Sequence, residues 1–198
     1  MIQRDPHPKA EALVTLLMRR GPSPAKKLAD ELGVSQPVFS RIVASLRSRV
    51  HRIGQGRATL YGLKREIGSV DSRLPLFKVS ESGECRALGD LVALEPRSLS
   101  LGTQIFPGIP YFLSDNLPQG FLGKAFARQN AHLGFSPRIG DWSENQLIES
   151  IARNGENGPG NLIVGNESFG RFHKIEPLAI VIAPAQRAAK YESAARDE

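Results

Sequence analysis

The run Ser35-Gln36-Pro37-Val38-Phe39-Ser40-Arg41 sets an amide, two hydroxyls and a guanidinium within about two helical turns. A glutamine amide can pair bidentately with adenine, and a guanidinium with guanine or with a phosphate. Ser35, Gln36, Pro37, Ser40 and Arg41 are therefore candidate contacts to base edges. Arg47, Arg49, Arg52 and Arg57 follow at spacings that suit phosphates. Arg57, just after Gly54-Gln55-Gly56, stands where it can enter a minor groove. Phe39 has two readings: it packs beneath its helix, or it touches a thymine methyl. The charge distribution points the same way. The 198-residue chain carries a net charge of +6, but residues 1–65 hold 13 Lys+Arg against 4 Asp+Glu (net +9) and residues 66–198 hold 13 against 16 (net −3). A basic third of this kind is the electrostatic footprint of a polyanion partner.

Elsewhere the residue chemistry argues mainly by exclusion. His7, His51, His132 and His173 share no local spacing that would hold zinc, so no metal is expected. Cys85 is the only cysteine, cannot form an internal disulfide, and is expected to be an inert thiol inside a strand. Lys124 in Gly120-Phe121-Leu122-Gly123-Lys124-Ala125 is not a phosphate-loop lysine, because Pro118 replaces the first glycine of that motif and Ala125 its hydroxyl. Asp115 and Asn116, in a turn before Pro118, read as backbone caps, with contact to a partner protein as the sharper alternative. Trp142 is either a staple, preceding the cap residue Ser143 and packing on Leu147, or an exposed anchor for a partner. No catalytic residue and no cofactor is expected.

The elements that must position these side chains follow from periodicity and capping. Lys9–Arg20 repeats Leu13, Leu16 and Leu17 at helical spacing and stops at Gly21-Pro22. Ser23 before Pro24 reads as the cap of a second helix, Ala25–Leu32. Gly33-Val34-Ser35 is a turn of the length and composition a helix-turn-helix requires, and Ser35 caps a third helix with Val38, Ile42, Val43 and Leu46 facing inward. Val50–Ile53 and Ala58–Leu63 alternate like two strands of a hairpin. The segments GVSQPVFSRIVASL and RIGQGRATLYGL together resemble the winged helix-turn-helix of bacterial transcription regulators.

Residues 66–73 read as a polar linker. A second domain, 74–185, follows, with strands expected at Leu74–Val79, Cys85–Leu94, Ser98–Leu101, Asn161–Val164 and Leu178–Ala183. Helices are expected at Phe121–Leu133 and from Ser143, capped with Gln146, to Arg153. Residues 186–198 form an Ala-rich tail. The fold class is therefore α+β: a winged helix-turn-helix at 1–65, then a small, mostly antiparallel sheet-plus-helix domain. The segment PYFLSDNLPQGFLGKAFA, followed by ENGPGNLIVG, resembles the N-terminal subdomain of HipA-type serine/threonine kinases. The fusion to a winged helix resembles the YjjJ-like branch of that family.

That resemblance implies a non-enzymatic DNA-binding antitoxin and transcription repressor. Such a protein would hold operator double-stranded DNA through residues 1–65, as a monomer or a homodimer. Through residues 74–185 it would restrain a separately encoded HipT-like kinase. Two alternatives stand beside it: the regulatory N-terminal part of a one-chain HipA-like kinase, and a plain winged-helix regulator with a ligand-binding second domain. Without an 18-residue apolar run or a secretory start, a cytoplasmic protein off the membrane is expected.

Overall fold

The computed structural model describes residues 8–158 and 160–174. Helix α1, Ala10–Arg20, buries Ala10, Leu13, Val14 and Leu17, one stripe at helical period. Helix α2, Ala25–Leu32, buries Leu28 and Ala29, and stops where Gly33 takes the left-handed conformation at φ 59°. There the Val34 N–H donates to the Ala29 carbonyl at 3.0 Å, a C-cap that reverses the chain within three residues. Helix α3, Gln36–Ser45, follows with Phe39 and Ile42 buried.

Three short strands complete this part: β1 (Ser23–Pro24), β2 (Val50–Ile53) and β3 (Leu60–Leu63), antiparallel in the order β1-β3-β2. Ser23 does not cap α2 as its sequence suggested. It pairs with Tyr61 in the sheet, and its hydroxyl donates back to the Gly21 carbonyl at 3.2 Å. The returning strand of the ribbon begins at Leu60 rather than Ala58, because Gly56–Ala58 winds into a single 3-10 turn.

The second sheet has five antiparallel strands: β4 (Arg73–Val79), β5 (Cys85–Leu94), β6 (Ser98–Leu101), β7 (Gln104–Pro107) and β8 (Leu162–Val164), in the order β7-β6-β5-β4-β8. Helix α4 spans Gly120–Gln129, α5 Glu144–Asn154 and α6 Asn166–Phe172. Leu74, Leu76, Leu91 and Leu99 of the sheet pack with Ile148, Ile151 and Ala152 of α5 and with Leu113 from the 3-10 turn Tyr111–Asn116. The Ser143–Gln146 capping box is formed at the start of α5. Helix α4 is shorter than its apolar pattern suggested. The Asn130 amide donates to the Phe126 carbonyl at 2.8 Å, and the chain then tightens to a 3-10 turn before Gly134. Strand β7 and helix α6 had no sequence counterpart.

The described residues thus make a mixed α+β fold with antiparallel sheets, and no helix among them is long and apolar enough to cross a membrane. Residues 66–73, which read as a polar linker, are mostly exposed but are tied to the second sheet. Ile67 is fully buried in the core of the second sheet, and the Arg65 N–H donates to the Ala93 carbonyl at 2.9 Å. A further cluster of Ile53, Val92 and Leu94 joins the ribbon to β5. The expected strand Leu178–Ala183 and the tail 186–198 lie outside the described residues, as does His7.

Candidate nucleic-acid interface

Helix α3 presents two chemically distinct sides. Ser35, Gln36, Pro37, Ser40 and Arg41 are all exposed, while Phe39 and Ile42 are buried against α1 and α2. Pro37 sits in the first turn, where its missing N–H costs no helical hydrogen bond. Ser35 has the extended backbone of a cap, but its hydroxyl caps nothing. The first turn of α3 is therefore exposed and not capped by a side chain, an end whose dipole favours negative charge. Phe39 takes the first of its two readings: it is 1% exposed and meets the Tyr61 ring edge-on at 5.4 Å. A thymine methyl cannot reach it there.

The cations sort by whether they already have a partner. Arg49 Nη1 lies 2.8 Å from Glu11 Oε1, and Arg20 lies 2.9 Å from Glu31, so both are tied to the helices behind the face. Arg41, Arg47, Arg52 and Arg57 are exposed and have no ion pair among the described residues. Arg52 leaves the ribbon from β2 opposite Tyr61, and Arg57 stands in the 3-10 turn at the ribbon's end. The exposed side of α3 therefore carries the base-edge candidates, and Arg41 on it, Arg47 in the following turn, and Arg52 and Arg57 on the ribbon carry no ion pair among the described residues.

Behind the ribbon lies a junction that sequence reasoning missed. His51, half-buried on β2, is held below its ordinary value chiefly by burial, then by repulsion from Arg73 and Lys64, with Asp90 opposing. Arg65 is buried, its guanidinium bonded to the Asn145 side-chain carbonyl, and the Asn145 amide donates to the Glu66 carbonyl at 3.1 Å. Burial lowers the Arg65 guanidinium, while Glu95 and Glu144 act to raise it. Glu149, also buried, accepts from the Ser69 N–H at 3.1 Å and from the Ser69 hydroxyl, with Arg153 Nε 3.3 Å away. Only the Glu149/Arg153 spacing of one helical turn was visible beforehand, and that pattern is common on solvent-facing helices.

The candidates in the second sheet's domain are not brought together. Trp142 is buried, its indole N–H donating to the Ser136 carbonyl at 2.6 Å and its ring edge-on to Phe135. It is not an exposed anchor. Asn116 is also buried, donating to the Leu162 carbonyl at 2.6 Å, which makes it a latch between the 3-10 turn and β8. Asp115 beside it is exposed. Cys85 opens β5 and is half-buried rather than interior, and burial raises its thiol. Among the described residues no three of His, Cys, Asp or Glu converge on a point that could hold a metal.

Fold and site together define an α+β protein with a cationic helix-and-ribbon face set on an antiparallel sheet-and-helix domain. Residues 70–173 match the YjjJ-like toxin middle domain, and the chain belongs to the YjjJ-like toxin family. It is 34% identical over 192 positions to Toxin YjjJ of Escherichia coli (strain K12), an alignment covering 93% of this chain and 42% of that relative. The chain thus spans less than half the length of the curated relative it matches. No solved structure matches it. The expected roles of antitoxin, transcription repressor and inhibitor of a separate kinase are overturned, because both the matched domain and the relative are named as toxins.

Proposed function

We propose that this chain supplies the DNA-holding part of a YjjJ-like toxin. In this reading residues 1–65 are a winged helix-turn-helix. Helix α3 lies in the major groove of double-stranded DNA, with Gln36, Ser40 and Arg41 toward base edges. Arg47 and Arg52 hold phosphates, and Arg57 on the wing follows the backbone into the neighbouring groove. The observation that carries the reading is that Arg41 on the exposed side of α3, Arg47 in the turn after it, Arg52 on β2 and Arg57 at the ribbon's end are all exposed and have no ion pair among the described residues. The domain behind them, with its likeness to the HipA N-terminal subdomain in PYFLSDNLPQGF, acts as a rigid non-catalytic support. A cytoplasmic location follows from the proposed partner.

The test is binding of a fluorescent 20-base-pair duplex at rising salt. Three backbone contacts, from Arg47, Arg52 and Arg57, give a slope of about −2.7 in log K against log salt, so affinity falls roughly 40-fold between 50 and 200 mM. Substituting all four arginines by alanine removes most of that slope. An affinity insensitive to salt, or a slope unchanged in the fourfold variant, refutes the reading.

A further inference from the structure

A cavity of about 670 Å³ opens beside α4, between its first turns and the 3-10 turn Ile139–Asp141. Its walls approach closely because position 123 is glycine: a Cβ there would stand 3.1 Å from Ile139 Cδ1 and 3.2 Å from the Pro118 carbonyl carbon. Pro118, Pro137 and Ile139 give the cavity apolar lining, and Lys124, Arg128 and Arg138 bring three cations to it. Lys124 and Arg128 are one helical turn apart on α4 and so share a face, while Arg138 approaches from the facing loop.

None of the three cations has an ion pair among the described residues, and all are exposed. Among the described residues no carboxylate lines the cavity. The Asp141 carboxylate, the nearest in sequence to Arg138, accepts from the Ser136 hydroxyl at 2.9 Å. Residues 66–198 carry a net charge of −3, so three converging cations without a counter-charge run against the composition of their surroundings. Bringing them together raises the local potential for an anion. Arginine forks match phosphate oxygens bidentately, and the volume falls within the usual size of small-ligand sites.

We propose that this cavity binds a small phosphate-bearing anion, with the phosphate held by Lys124, Arg128 and Arg138 and any organic body lying on Pro118, Pro137 and Ile139. The site is separate from the α3 face and does not depend on DNA binding.

The chain contains its own reporter. Its single tryptophan, Trp142, donates its backbone N–H to the Ile139 carbonyl at 2.9 Å and its indole N–H to the Ser136 carbonyl at 2.6 Å, so the indole is held to the loop that forms one wall. The full chain is titrated with adenosine monophosphate and, separately, with inorganic tripolyphosphate. Trp142 emission and calorimetric heat are both followed. Saturable binding of either probe is expected, and the two probes distinguish an organic from an inorganic phosphate source. The Lys124→Ala/Arg128→Ala/Arg138→Ala variant should lose about tenfold or more in affinity, the scale of one or two charge-assisted hydrogen bonds. Its melting temperature should be unchanged, since the three side chains are exposed. Arg41→Ala/Arg57→Ala should bind the probes as the unmodified chain does. The proposal is overturned if neither probe saturates by either signal, or if the triple variant binds equally well. It is also overturned if the triple variant weakens only duplex binding, because the cations then belong to a nucleic-acid surface.

Discussion

Replacing Gly68 with alanine tests whether residues 66–73 are connecting chain or part of the core. Gly68 has φ +50°, a left-handed conformation that costs an L-residue about 1–2 kcal/mol. A Cβ there would also stand 1.7 Å from Glu149 Oε2, far inside contact distance. Glu149 cannot step aside freely, because it is 6% exposed and accepts from the Ser69 N–H and hydroxyl. Displacing it forfeits at least one charge-assisted hydrogen bond, about 1.5–3 kcal/mol. The two effects together give a loss of about 3–5 kcal/mol, equivalent to roughly 6–20 °C in melting temperature for a chain of this size. Urea unfolding followed by circular dichroism measures it directly. A double-mutant cycle with Glu149→Ala separates the parts: removing the carboxylate relieves the clash but not the backbone cost, so the two losses should be less than additive. A loss below about 0.5 kcal/mol for Gly68→Ala, typical of an unconstrained surface site, would refute the packed geometry of this segment.

Phe39→Ala should destabilise by about 3–5 kcal/mol in the same assay, because a fully buried ring and its edge contact with Tyr61 are lost. Val38→Ala, at a half-buried position, should cost clearly less. Asn116→Ala should cost about 1–3 kcal/mol, since the buried Leu162 carbonyl loses its donor. For His51, the folded chain binds a proton less readily than the unfolded chain, whose value is near 6.5. Stability is therefore full above pH 6.5 and declines as pH falls from there toward the lowered folded value. His51→Gln should flatten that part of a melting-temperature profile, and an unchanged profile would show that the ring is not held neutral. Arg49→Ala should leave the salt slope of duplex binding nearly unchanged while Arg57→Ala reduces it by about one unit, because Arg49 is already committed to Glu11.

Most of the first part of the fold was legible because its signals are local. Leucines at helical spacing, the Gly33 turn and the alternation of Val50–Ile53 each depend on neighbours within a few residues. The exposed face of α3 followed directly, since placing Ile42 and Leu46 inward leaves Gln36, Ser40 and Arg41 outward. Ser23 was misread because a capping serine and a serine in a two-residue edge strand have the same local sequence; only Tyr61, distant in the chain, separates them. The long-range ties of residues 66–73 were hidden for a similar reason. Their polar composition hides one buried isoleucine and a serine whose acceptor is eighty residues away on α5. The short helix α6 lies in a glycine-containing stretch with little helical propensity, and packing rather than sequence holds it. Function was read least well: the antitoxin role taken from the resemblance is overturned by the toxin descriptions of the matched domain and the relative.

The apolar contact of Ile53 with Val92 and Leu94 also bears on how the chain is made. Translation releases the helices and ribbon first, while β5 emerges some forty positions later. At about 5–20 residues per second, the ribbon's inner face stays open to water for roughly 2–8 s. Throughout that interval Ile53 and Leu60 are uncovered on a nascent chain whose net charge is strongly positive. Mutual repulsion between neighbouring nascent chains then opposes their association until β5 arrives to close the seam. The positive charge of the first third thus works against self-association of a hydrophobic surface that β5 has yet to cover.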